Sequence, residues 1–162
     1  MSPNDKAGKA GRAQWYVAKR SVIKDNKAFI DQWKVVVSSA NAGGQKRDWQ
    51  IEVFDNHSAF GRARVGLGSF KNKAEAENFY AYCNTYLIRF LFLMTEESLT
   101  SLAKKVPDVL DYTKDNNLLD FSKNLNKQLY ALCGFTAAEV KYIEKTINDL
   151  DVARSRNKAR ED

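Results

Sequence analysis

Between residues 72 and 94 the chain reads NKAEAENFYAYCNTYLIRFLFLM. Its apolar side chains fall at Phe79, Tyr82, Cys83, Tyr86, Leu87, Phe90, Leu91, Leu93 and Met94. That spacing of three and four predicts one long helix with a wide buried face. Asn72 followed by Glu75 is a capping-box start, and Glu75 and Glu77 place negative charge at the positive end of the helix dipole. No other segment carries as much aromatic and aliphatic area, so the rest of the chain is expected to pack against it.

Upstream, the pattern changes period. Trp15, Tyr16 and Val17 start a short strand-like run, and Val22 to Ile30 is compatible with strand or helix. The β-branched run Trp33-Lys34-Val35-Val36-Val37 fits a buried strand. Trp49-Gln50-Ile51-Glu52-Val53-Phe54 alternates as a second strand, and Asp55-Asn56-His57-Ser58 is a turn. Phe60 to Phe70, FGRARVGLGSF, alternates small or apolar residues with Arg62 and Arg64, as on a half-exposed sheet with an arginine-bearing face.

Downstream of Met94, Thr95 is placed to cap a short helix through Ala103, which Pro107 ends. DVLDYTKDNNLLDF, residues 108–121, is a polar loop with Leu110, Leu118, Leu119 and Phe121 as anchors. Ser122 is a candidate cap for a helix carrying Leu125, Leu129, Tyr130 and Leu132, stopped by Gly134 as a left-handed residue. Thr136 and Glu139 form another capping box, opening a helix with Val140, Ile143, Ile147 and Leu150 on one face. The expected fold is therefore α+β. An N-terminal antiparallel or mixed sheet packs on a C-terminal helical cluster organised by the helix at about 72–94. The domain spans 14–150, flanked by a disordered basic leader at 1–13 and a charged, flexible tail at 151–162.

Composition adds bounds rather than an answer. A chain of 162 residues with 44% hydrophobic and 28% charged content is ordinary for one soluble domain. Cys83 and Cys133 form no C-x-x-C pair and sit on apolar helix faces, as reduced core residues of a cytoplasmic protein do. The apolar run YLIRFLFLM is too short to span a bilayer and is interrupted by Arg89, so no membrane partner is expected. The net charge of +6 is unevenly spread: residues 1–73 hold 14 Lys/Arg against 6 Asp/Glu, whereas residues 74–150 hold 8 against 11. Such asymmetry points to an anionic partner for one face, or simply to a solvated basic surface.

Candidate chemistry concentrates in the basic half. Ser38-Ser39-Ala40-Asn41-Ala42-Gly43-Gly44-Gln45-Lys46-Arg47 follows a strand directly. Its glycines allow close backbone approach, and its N–H groups with Lys46 and Arg47 suit phosphate oxygens. It is neither a Walker loop nor a dinucleotide-binding G-x-G-x-x-G, and a plain hairpin connection explains it equally well. Arg89 must snorkel, pair with a carboxylate, or reach a phosphate or base. The single histidine, His57, lacks the partners for metal or triad chemistry. Asp108, Glu139 and Lys141 spell a loose PD…ExK nuclease pattern, but Glu139 already has a capping role, which leaves a degenerate metal-dependent nuclease as a third-ranked alternative.

Taken in order, FIDQWKVVVSSANAGG, SFKNKAEAENFYAYCNTYLIRFLFLM and VPDVLDYTKDNNLLDFSKNLNKQLYALCGFTAAEVKYIEKTI resemble the C-terminal part of adenine-specific DNA methyltransferases. These are of the type II restriction–modification class, including the fused restriction-and-methylation enzymes. The family pattern has a strand ending in K-V before a Gly-containing loop, then an F-x-x-x-x-E-A-E-N helix containing R-F-L. A V-P segment and a closing helix pair of the form L-Y…G-x-T-x-x-E-x-x-x-I-E complete it. Here these elements are Trp33 to Val37, Phe70 to Leu91, Val106-Pro107 and Leu129 to Glu144, within residues 28–148.

The resemblance implies a target-recognition region that lies against double-stranded DNA while a separate catalytic domain or subunit flips and methylates adenine. The N-P-P-Y/F motif and the F-x-G-x-G cofactor loop are absent from this sequence. The chain by itself is therefore expected to be non-catalytic, to bind no S-adenosylmethionine, metal or other cofactor, and to partner DNA and a methyltransferase or restriction component. Expected DNA-facing residues are Lys34, Ser38, Ser39, Asn41, Gln45, Lys46, Arg47, Arg62, Arg64 and Arg89. The Lys and Arg side chains would grip phosphates, and the hydroxyl and amide groups would read base edges. The alternative is a protein-interaction module docking a methyltransferase, nuclease or other defence component.

Overall fold

Three short antiparallel strands form around the most β-branched run in the chain. In this computed structural model, residues 17–24, 26–38, 51–61, 64–94, 108–115 and 118–161 are described, with Ser38 and residues 153–161 as backbone only. Strand β1 (Trp33–Ser38) is central, flanked by β2 (Ile51–Phe54) and β3 (Arg64–Phe70), in the order β2-β1-β3. Val37 pairs with Ile51, and Ser38 pairs with Arg64. A register shift between Val35 and Val36 bulges Leu67 out of step, with Val35 opposite Gly68 and Val36 opposite Gly66. Gly68 admits no side chain without a shift, because an added Cβ would lie 2.8 Å from the Phe70 ring.

Val35, Val36 and Val37 are all fully buried, so both faces of β1 are covered. On one face lie the helices. Strands β1 and β2 contribute Val35, Val37 and Ile51 to a core with Ala76, Cys83, Leu87, Ile88 and Phe92. The other face holds Lys34, Val36 and Phe54, with Ile30 and Phe60 over it. The central strand is thus covered on both faces, whereas β3, the arginine-bearing strand expected on a half-exposed sheet, stays partly exposed along its length. The stretch Val22 to Ile30, compatible in sequence with strand or helix, instead falls at two 3-10 turns, Arg20–Val22 and Lys27–Phe29.

The long helix expected over 72–94 is two helices. Helix α1 (Lys73–Cys83) starts where predicted, with Asn72 Oδ1 accepting from the Glu75 N–H at 3.0 Å. It ends at Asn84, whose Nδ2 donates to the Tyr80 carbonyl at 2.8 Å, while Thr85 Oγ1 donates to the Tyr82 carbonyl at 2.8 Å. Adjacent amide and hydroxyl side chains compete with the backbone ladder and terminate it. Helix α2 (Tyr86–Met94) then restarts, its Tyr86 N–H held by Asn126 Oδ1 at 2.8 Å. The apolar spacing runs through the break, so periodicity alone did not reveal it.

Two helices close the chain. Helix α3 (Leu125–Cys133) is capped by Asn124 rather than Ser122; the Ser122 hydroxyl instead donates to Asp120. It stops at Gly134 with φ +69°, as expected. Helix α4 (Ala137–Glu161) opens on the Thr136–Glu139 capping box and buries Ile143 and Ile147. It continues through 151–161, where a loose tail was expected, and Arg89 on α2 grips Asp151 in two hydrogen bonds of 2.6 and 3.1 Å. The predicted helix at 95–103, the leader at 1–13 and the strand-like Trp15 and Tyr16 lie outside the described residues.

Two of the four expected anchors of the segment before α3 hold: Leu119 is buried and Phe121 packs against the core, whereas Leu110, at φ +63°, and Leu118 are exposed and the unexpected Tyr112 is buried. Tyr112 packs edge-on against Phe70, Phe79 and Tyr82, and its hydroxyl donates to Asp108 at 2.7 Å. Cys83 lies in the core, as expected, and burial pushes its thiol pKa upward; Cys133 is exposed instead.

Candidate nucleic-acid interface

The antiparallel register brings the chemistry-bearing segments of the basic half to one end of the sheet. The chain leaves β1 at Ser38 and re-enters at Ile51, which faces Val37. β3 begins at Arg64 opposite Ser38, so the connection carrying residues 39–50 and the approach carrying Arg62 join the described fold side by side. Ser39, Asn41, Gln45, Lys46, Arg47 and Arg62 lie outside the described residues, as does the Ser38 side chain.

Arg64 stands at that end. Its Nη2 is 3.1 Å from Glu52 Oε1, and the guanidinium carbon lies 5.4 Å from the centroid of the Phe54 ring. Pairing and the cation–π contact hold the side chain, which is 15% exposed. Nothing in the sequence marks either partner as functional, because cross-strand neighbours depend on a register that the sequence alone does not display.

Lys34 is corrected from a phosphate-gripping residue to an internal clamp. It is 5% exposed, and its ammonium donates to the carbonyls of Phe29, Ile30 and Gln32 at 3.1, 2.9 and 2.6 Å. All three of its N–H donors are thus satisfied by the turn that precedes β1. Burial pushes its pKa down from the ordinary value, opposed by the charges of Asp55 and Asp31. Arg89 is likewise an internal pair, its side chain 11% exposed against Asp151. Lys34 and Arg64 stand four residues apart along the strand direction, about 13 Å, and Arg89 belongs to the helical layer. The three therefore form no common cationic face.

At the β1 start, Lys34 feels Asp31 and Asp55, and Asp31 is held by Arg20 at 2.5 and 2.6 Å. The Arg20 hydrogen bond keeps the Asp31 carboxyl below the usual range, with weaker help from His57. His57 itself is exposed, its backbone N–H bound by Asp55 at 3.0 Å. Arg20 and Asp31 answer one another here, while Lys24 and Lys27 stay exposed.

The acidic groups of the nuclease pattern are occupied locally. Asp108 Oδ1 accepts from the Leu110 N–H and the Tyr112 hydroxyl, and Glu139 Oε2 accepts from the Thr136 N–H and hydroxyl. Among the described residues no group of three or more His, Cys, Asp or Glu side chains is placed to hold a metal ion. Among them, too, no helix is long and apolar enough to cross a membrane. No protein-family model, curated protein or solved structure matches the chain.

Proposed function

We propose that this chain is a non-catalytic DNA-recognition module of the restriction–modification adenine-methyltransferase class, holding duplex DNA at the end of the sheet where β1 leaves and β3 begins. The observation that carries the reading is the Ser38–Arg64 pairing, from which the segments bearing Gln45-Lys46-Arg47 and Arg62 depart together. Backbone phosphates supply most of the affinity in such contacts, and amides and hydroxyls on the same loop supply discrimination. The resemblance over residues 28–148 and the charge asymmetry of the sequence point the same way. In this role the helices are a brace, and the partner that performs chemistry is a separate methyltransferase or restriction component.

The test is duplex binding across a salt series. Affinity should fall steeply with added salt, and Lys46→Ala and Arg47→Ala should each lower the slope of log K against log salt by about one unit. Binding that ignores salt, or that survives both changes with its slope intact, contradicts the reading.

A protein-docking role is the second reading, favoured by exposed Leu110 and Leu118 in the segment between α2 and α3. Size-exclusion chromatography with and without duplex separates the two, because a docking module migrates unchanged when DNA is added.

A further inference from the structure

Among the described residues, only Leu110 combines an exposed large apolar side chain with a left-handed backbone. It is 85% exposed, at φ +63°. The Asp111 N–H donates to the Val109 carbonyl at 2.8 Å, closing a three-residue turn with Leu110 at its centre. That turn is rare and strained for a residue with a side chain. Asp108 Oδ1 pins it by accepting from the Leu110 N–H at 2.9 Å. The fold draws no burial from this leucine, and glycine would suit the backbone better. Leu118, Asp111 and Asp115 are exposed on the same segment, beside one exposed cation, Lys114. The surface shown to water there is apolar and acidic.

The strap before β1 has the opposite sign. Val22 and Phe29 are exposed, and so are Lys19, Lys24 and Lys27 between and beside them. Among the described residues no carboxylate is paired with any of the three lysines. Arg20 on Asp31, and Lys34 on the Phe29 carbonyl, fasten the strap to the start of β1. The Leu110 segment reaches the same end of the sheet from the helical side. Tyr112 packs on Phe70, which pairs with Trp33, the first residue of β1.

We propose that the chain pairs with a second copy of itself, the Leu110 segment of each copy seated on the strap before β1 of the other. Charge complementarity selects this occupant: Asp111 and Asp115 meet Lys24 and Lys27, and Leu110 is covered by Val22 and Phe29. Both surfaces lie at one end of the sheet, so a twofold axis forms the two contacts together and the assembly closes at two copies. A pinned turn presents its leucine with little freedom left to lose on contact. The charges set register and choice of partner more than strength. The strap sits at the opposite end of β1 from Ser38, so self-contact and duplex contact do not compete. The inference stands whether or not the DNA-recognition reading holds.

Sedimentation of the full chain over a concentration series, with no DNA present, measures the equilibrium directly. Wild type should reach dimer and nothing larger, with a dissociation constant that rises as salt is added. Lys24→Glu with Lys27→Glu, and separately Asp111→Lys with Asp115→Lys, should each raise that constant by a factor on the order of 100. Mixed in equal amounts, the two variants should recover the dimer, because each reversed surface then faces a complementary one. Leu110→Gly should raise the constant about 10-fold without lowering the melting temperature of the monomer, since glycine accepts the left-handed backbone. Thermal melts establish that each variant is folded; should the Asp111 and Asp115 variant not fold, the other two decide. A chain that stays monomeric, a dimer indifferent to salt, or one that Leu110→Gly leaves intact overturns the proposal. Growth past two copies overturns the twofold arrangement.

Discussion

At the scale of single residues, the most informative group is Lys34. Its ammonium ties the turn at 29–32 to β1, and Lys34→Met leaves three carbonyls without their donor. The loss should destabilise the fold by roughly 2–4 kcal/mol in a denaturant titration, since each orphaned polar group costs more than a typical net hydrogen bond. Were Lys34 a surface phosphate contact, stability would not change and only DNA affinity would fall. Tyr112 is the corresponding group on the helical side. Tyr112→Ala should cost roughly 3–5 kcal/mol, and Tyr112→Phe only about 1, because the ring rather than the hydroxyl joins Phe70, Phe79 and Tyr82. A lysine inside a valine run, and a tyrosine within DVLDYTKDNNLLDF, give no sign in the sequence of being buried. Their burial follows from which turn folds over which strand.

At the scale of elements, the boundary between α1 and α2 tests how local chemistry overrides apolar spacing. Thr85 Oγ1 donates to the Tyr82 carbonyl and accepts from the Ile88 N–H at 3.4 Å. Thr85→Ala should therefore cost about 1–2 kcal/mol, as loss of a helix cap does, rather than stabilise a continuous helix. A gain in stability would mean that the break is imposed by packing alone. The Arg89–Asp151 pair joins α2 to α4 and leaves both groups partly in contact with water. Asp151→Ala should speed amide exchange in the last turns of α4 while sparing Ile143 and Ile147, a pattern readable by hydrogen exchange. The boundaries that were legible are those carried by nearby side chains: Asn72 with Glu75, Gly134, and Thr136 with Glu139. Strand pairing, the covering of β1 on both faces and the helical path of 151–161 depend on distant contacts, and no short window contains them.

At the scale of the molecule, several carboxyls at or near the surface share one pH signature. Hydrogen bonds from Arg20, Ser58, the Thr113 backbone, Lys123 and the Thr136 backbone hold Asp31, Asp55, Asp111, Asp120 and Glu139 below their usual range, Asp120 at about 2. Because the folded values are the lower ones, the unfolded chain binds protons first as acid is added. The stabilisation is complete above the ordinary carboxyl values near 4 and is lost as pH falls toward 2. A thermal melt series should be flat from pH 7 to about 5 and decline below; a steady decline already between 7 and 5 would implicate other groups.

The central claim is that one end of the sheet, and not the other, meets DNA. Lys46→Ala with Arg47→Ala alters the stretch of sequence between β1 and β2, whereas Lys24→Ala with Lys27→Ala removes two exposed cations from the segment before β1. Fluorescence anisotropy of a labelled duplex across a salt series compares them directly. The first pair should reduce the slope of log K against log salt by about two units and the second should leave it unchanged. Equal losses from both pairs, or no loss from the first, would contradict the account.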